Sequence, residues 1–211
     1  MLSVPSPSPR RSRGFTLTEM MIGLAIFGVL MSLGLPAFSE FLQNARVKNA
    51  SEGIMQGLTI ARADAVRRTT NVRFQFVTGL TSTCALSSTS LAWVVSTVDP
   101  TTVTGKCSTA PSPTGTFVQV QSATEGTANT AITSVDSAAA AATTVTFNGL
   151  GRVVGNGIAT VDIRHTQGVC QHTSASGKVR CLRVLLAPGG QARLCDPKVT
   201  SSTDSRFCTT S

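Results

Sequence analysis

Twenty consecutive residues without a charge, Met20 to Ser39, constrain this chain more than any other feature. With Phe15 and Leu17 ahead of them they make an apolar stretch longer than the roughly 20 helical residues that cross a ~30 Å hydrocarbon core. The expectation is a membrane-spanning helix. At its mouth stands one acid, Glu19, in the segment Phe15-Thr-Leu-Thr-Glu19. A carboxylate at membrane depth costs on the order of 2.5–3.5 kcal/mol on insertion scales, so it calls for a cationic partner. Ahead of the stretch lie Pro/Ser-rich residues 3–9 and then Arg10, Arg11, Arg13 and Gly14. Alternating prolines deny this leader a helix or a packing face. The arginines orient it toward the cytoplasm by the positive-inside bias, which places everything after Glu40 across the membrane. An ordinary secretory signal is cut after its apolar stretch. Here the order of features puts the cut at Gly14, before it, and leaves the apolar helix on the protein with a new α-amino group on Phe15, the natural partner for Glu19 of a neighbouring copy.

Beyond Pro36, which lacks a backbone donor and is expected to bend or locally melt the helix, the pattern turns amphipathic. Val47, Ala50, Ile54, Leu58, Ala61 and Ala65 recur at steps of three or four, with Lys48, Glu52, Gln56 and Thr59 opposite. No linker separates the two patterns, so one helix from about Phe15 to Arg68 is expected. After Arg68 the period becomes two. Asn71–Val77, Phe117–Gln121, Thr144–Phe147 and Thr160–Arg164 alternate, and Leu91–Val95 and Leu182–Leu186 are denser apolar runs. Short strands with Gly-containing turns favour antiparallel sheets that bury one face against the helix. Thr97–Thr116 and Ser122–Thr143 are rich in Ser, Thr, Ala and Gly and are read as long surface loops, with Ala138–Ala142 left as an unassigned short helix or loop. The fold class is therefore α+β, a long N-terminal helix on a predominantly antiparallel β domain. Its divisions are 1–14 leader, 15–39 membrane or filament-core helix, 40–68 amphipathic helix and 69–211 β-rich domain.

Only 13% of the residues are charged, and the +8 net charge falls to +5 once the three leader arginines are removed, leaving fifteen basic residues against ten acidic. The six cysteines, at 84, 107, 170, 181, 195 and 208, all follow the span and so lie in an oxidising compartment. With no Cys-x-x-Cys, disulfides are the reading, and locality alone suggests 84–107, 170–181 and 195–208. His165, Cys170 and His172 are near one another in sequence, but Cys170 is better used in a disulfide than on a metal, so no metal site is assigned. Two histidines, no nucleophile elbow, no Walker loop and no His-Glu-x-x-His motif leave no catalytic constellation. Gly149-Leu-Gly151-Arg-Val-Val-Gly155 has the wrong spacing for a dinucleotide loop and is read as a hairpin turn. The chain is read as no enzyme, with no cofactor.

Arg13-Gly14-Phe15-Thr-Leu-Thr-Glu19 followed by Met20-Met-Ile-Gly-Leu-Ala-Ile-Phe-Gly-Val-Leu and Pro36 resembles the class III signal of type IV pilins and type II secretion pseudopilins. Thr146-Phe-Asn-Gly-Leu-Gly-Arg-Val153 and Leu182-Arg-Val-Leu-Leu-Ala-Pro-Gly-Gly-Gln-Ala-Arg-Leu-Cys195 are similar to the GspH/FimT family of minor pilins and pseudopilins. The resemblance implies a prepilin peptidase that cuts after Gly14 and methylates Phe15. It also implies that Glu19 and Pro36 serve assembly, and that the partners are major and minor pilins and an inner-membrane assembly platform. The expected location is the inner membrane with a periplasmic domain, then a pilus. A minor pilin that primes or caps the filament is the leading expectation. A type II secretion pseudopilin and a DNA-binding minor pilin for natural uptake are the alternatives. From Arg152 onward eight basic residues stand against three acids, and Lys178, Arg180 and Arg193 lie at or near expected turns where they can reach phosphates. With Arg183 and Gly190 they are the candidate DNA contacts, although Gly190-Gln-Ala-Arg193 lacks the first arginine of the Gly-Arg-x-Arg turn of the DNA-binding members that this region resembles.

Overall fold

The computed structural model describes residues 15–97, 103–112, 114–123 and 127–208, with no side-chain account of 33–37. Helix α1 (Leu17–Arg68) precedes nine strands: β1 (Val72–Val77), β2 (Ala92–Ser96), β3 (Phe117–Gln121), β4 (Thr130–Val135), β5 (Thr144–Phe147), β6 (Val153–Val154), β7 (Thr160–His165), β8 (Leu182–Leu186) and β9 (Ala192–Cys195). The chain divides into two compact units, Met1–Ser39 and Glu40–Ser211.

In the first unit, α1 starts where the sequence supplies a cap. The Thr16 N–H and hydroxyl both donate to Glu19 Oε2, at 2.9 and 2.8 Å, and the Glu19 N–H donates back to Thr16 Oγ1 at 3.3 Å. This reciprocal capping box satisfies amide groups that the first helical turn leaves open. The backbone stays helical through position 36, where a local melt was expected. The side chain of Pro36 lies outside the described residues. The span expected from Met20 to Ser39 is not carried by the described residues alone: among them, no helix is long and apolar enough to cross a membrane.

In the second unit the rest of α1 buries the stripe that its periodicity marks. Val47, Ala50, Ile54, Leu58, Ala61 and Ala65 share one core with Phe74, Trp93 and Phe147 of one sheet and Val161, Ile163 and Val184 of the other. Gly57 sets the approach, because a Cβ there would lie 2.6 Å from a Phe74 ring carbon. The sheets are antiparallel throughout, in orders β3-β2-β1-β5-β6 and β4-β7-β8-β9. The first is buried on both faces at β1 and β2, where its far side closes on a second core of Val77, Ala92, Val94 and Phe117 under the Cys84–Cys107 loop. That double burial explains why β1 and β2 read as dense apolar runs.

One expectation is corrected. Residues 122–143 are not all surface loop, since Thr130–Val135 form an edge strand paired with β7. Its inward positions include Ser134, whose hydroxyl bonds the Ser88 carbonyl at 3.2 Å, so a buried polar residue masks the apolar alternation. Ala192–Cys195 likewise form β9. The alanine run, left open as a short helix or loop, closes a turn, with the Asp136 carboxylate accepting from the amides of Ala138 and Ala140 at 2.8 and 2.9 Å.

Candidate assembly helix and basic surface

The assembly segment begins outside the described residues, where Gly14 lies. Phe15, the first residue described, is 84% exposed, and Leu17, Met20, Met21, Ile22, Leu24, Ile26, Phe27, Val29, Leu30 and Met31 are exposed with it. Apolar surface around a whole helix is not a stable end state in water. Glu19 sits at the start of this surface with its carboxylate engaged by Thr16. The sequence reading missed that local role, although Thr16-Leu-Thr-Glu19 carries the Thr-x-x-Glu spacing of a capping box.

Of the five residues expected at DNA, four are basic side chains that already hold oxygen partners and the fifth, Gly190, stands in a turn. Lys178 Nζ lies 2.6 Å from Glu40 Oε1, a hydrogen bond and charge pair that raise the lysine pKa. Nearby, the Arg180 amide donates to Asn44 Oδ1 at 2.7 Å while its guanidinium pairs with the buried Asp196 at 2.6 Å. Arg183 grips Asp162 with two bonds of 2.6 and 3.0 Å. Arg193 is brought to the same sheet face as Arg183, because Leu185 pairs with Arg193 and Arg183 with Cys195. Its guanidinium donates to the Phe207 carbonyl at 3.0 Å. Gly190 stands apart in the β8–β9 turn at φ +79°, where an added Cβ would meet the Gly151 carbonyl oxygen at 2.0 Å. Its glycine identity is thus set by backbone packing between two turns, to which Arg62 adds a 3.1 Å hydrogen bond on the same carbonyl.

The acids of the basic C-terminal half are all engaged: Asp162 and Asp196 as above, and Asp204 by Arg206 at 2.8 Å, which holds that carboxyl down to about 2. Arg152 and Arg164 carry no side-chain hydrogen bond or ion pair among the described residues. The cysteines pair as 84–107, 170–181 and 195–208, so Cys170 is not available to a metal. His165 is buried, and burial followed by the nearby Arg46 charge pushes its pKa down. Among the described residues no three potential ligands gather for a metal ion.

Residues 50–190 match the family described as type II transport protein GspH, and residues 9–35 match the prokaryotic N-terminal methylation motif. A fimbrial protein of Moraxella nonliquefaciens is 45% identical over 38 residues, 18% of this chain and 25% of that protein. The type IV major alpha-pilin of Moraxella bovis is 35% identical over 51 residues, 24% of this chain and 32% of that protein. The chain thus spans between a quarter and a third of the curated relatives it matches. Among solved structures, the type IV minor pilin FimU of Pseudomonas aeruginosa aligns with TM-scores of 0.44 and 0.36 in two crystal forms, at 14% and 15% identity. These alignments cover 73% and 70% of this chain and 91% and 90% of the FimU chains.

Proposed function

The chain belongs to the GspH family of type II transport proteins, pilin-like structural subunits and not enzymes, and on that premise we propose that it is a minor subunit of a type IV pilus. A prepilin peptidase cuts between Gly14 and Phe15 and methylates the new amine. The mature subunit waits in the inner membrane as a single-pass protein with its β domain in the periplasm. It then enters the filament through α1, alongside major and minor pilins, and primes or caps the fibre.

The observation that carries this reading is the α1 surface from Met20 to Met31, apolar on all sides and exposed, within a methylation motif. Lipid covers such a surface before assembly and neighbouring helices cover it afterwards. Glu19 supports the same reading. Once Phe15 bears a free amine, a carboxylate four residues on is placed to meet the amine of an adjacent subunit, with Thr16 holding it in the meantime. The test is N-terminal mass spectrometry together with filament incorporation. Processing starts the mature chain at Phe15, Gly14→Leu leaves the precursor intact, and Glu19→Ala is cleaved normally but lost from sheared filaments. A native chain that starts at Met1 or downstream of Ser39 sinks the proposal.

The GspH match over 50–190 also favours a second reading, a type II secretion pseudopilin. Copurification separates the two, according to whether the tagged chain travels with sheared pili or with the secretion apparatus. The DNA-uptake alternative gains less from the geometry, since the charges of Lys178, Arg180 and Arg183 are each already balanced by a paired carboxylate, which weakens their attraction for a phosphate backbone. Salt-dependent duplex binding by the full chain, lost on changing Arg183 and Arg193 together, is the result that would favour it.

A further inference from the structure

We propose that the cavity over the solvent face of the β4-β7-β8-β9 sheet binds a sugar bearing one anionic group, a carboxylate or a phosphate. The cavity is about 540 Å³ and half enclosed, within the range of roughly 300–1,000 Å³ of small-molecule sites. Its floor is a row across three strands, Thr133 opposite Asp162 and Asp162 opposite Arg183. Its wall is the loop after β7, tied down by the Cys170–Cys181 disulfide and by the bridge from Cys170 to Val179. A wall fixed this way is preorganised, so little ordering entropy opposes a ligand.

The polar groups specify what fits. Arg164 lines the cavity with no side-chain partner among the described residues. Arg183 gives two of its donors to Asp162 and keeps others. His165, 2% exposed, borders the cavity but alternates with Arg164 along β7, on the side of Val161 and Ile163 that faces the core, so its ring is part of the floor's support and not a donor to the ligand. Two guanidiniums against the one carboxylate of Asp162 leave an excess of one positive charge, which a sugar carboxylate balances and a phosphate ester, carrying about −1.5 to −2 at pH 7, more than balances. Asp162 and the Thr133 hydroxyl supply the acceptors that ligand hydroxyls require, and Val169, 55% exposed, gives an apolar contact for the C–H face of a ring. Among the described residues the lining holds no Phe or Trp, the large rings that give single-stranded nucleic acid its broadest stacking surface. A charged ligand rich in hydroxyls meets all of these demands, and the inference is independent of how the subunit assembles.

The test is titration of the 15N-labelled full chain in detergent micelles with galacturonate, galactose 6-phosphate, galactose, inorganic phosphate and a short DNA duplex. Saturable shifts at the Cys170–Cys181 loop are expected with one or both acidic sugars, and whichever binds more tightly identifies the anion. Galactose and phosphate alone should bind at least about tenfold more weakly, and Arg164→Gln should weaken the acidic sugar by about tenfold or more, the loss of one charge-assisted hydrogen bond. Arg152→Gln should change nothing. Absence of saturation with both acidic sugars up to roughly 10 mM overturns the proposal, as does unchanged affinity in Arg164→Gln. Phosphate or the duplex matching the sugars at the same resonances overturns it too, and assigns the cavity to a simple anion site or to nucleic acid. The comparison of acidic with neutral sugar on the native chain decides the matter even if the variant does not fold.

Discussion

Gly190 shows how a residue can look functional in one dimension and be structural in three. Its turn resembles a DNA-contacting motif, yet its positive φ and the Gly151 carbonyl 2.0 Å from where a Cβ would stand require glycine whatever the chain binds. Gly190→Ala should therefore destabilise the domain by about 2–3 kcal/mol, measured by chemical denaturation of the full chain in micelles. A wild-type midpoint would return the residue to a binding role. His165 makes a second prediction at this scale. Its folded pKa is depressed by burial and then by Arg46, while unfolded histidine titrates near ~6.5. Below that value the unfolded state takes up more protons than the folded one, so stability falls as pH drops from about 6.5 toward the folded pKa. His165→Gln should flatten the melting temperature between about pH 7 and 5, and an unchanged pH slope in that variant would show that other groups carry the acid sensitivity.

Among the elements, α1 joins the sheets through glycines with opposite constraints. A Cβ at Gly57 would press into Phe74 and Trp93 at 2.6 and 2.9 Å, rings fixed in the core, whereas one at Gly53 meets only the end of the Gln121 side chain. Gly57→Ala is expected to cost about 1–3 kcal/mol by overpacking. Gly53→Ala should be within about 1 kcal/mol of wild type, because Gln121 can swing away while alanine improves helix propensity. Equal losses in thermal melts would mean that α1 shifts as a rigid body. The helix stripe, β3, β5 and β7 were legible because burial on one side imposes a period that residue type records, and β8 because it is a dense apolar run. In β4 the inward row is Thr130, Ile132 and Ser134, two of them polar, so its pairing with β7 was invisible until the partners Ser88 and Ala142 were seen. The Thr16–Glu19 cap is the converse case, a local signal present in the sequence and passed over because the motif pointed to a distant role for the same acid.

For the whole molecule, the disulfides do what a small β domain with long loops needs. Cys195–Cys208 closes the tail over a separation of 13 residues beside the edge strand β9. Its removal by Cys195→Ser with Cys208→Ser should cost about 3 kcal/mol in the chain-entropy account, read as a lower denaturant midpoint. An unaltered midpoint would mean the tail is held by Arg193 and the Asp196–Arg206 backbone bond alone. Here the pairing by sequence locality and the pairing in space coincide, since each bridge spans a single excursion between neighbouring segments. By itself the sequence determined the elements whose physics is local: the apolar helix and its cap residues, the amphipathic continuation, the alternating strands and the family motif. Only the tertiary structure decided which cations are already engaged, which glycines are trapped, that Thr130–Val135 is a strand, and that Arg164 and the two histidines border one cavity. Those outcomes depend on contacts between residues distant in sequence, and a side chain's partner, unlike its period, leaves no trace in the order of the chain.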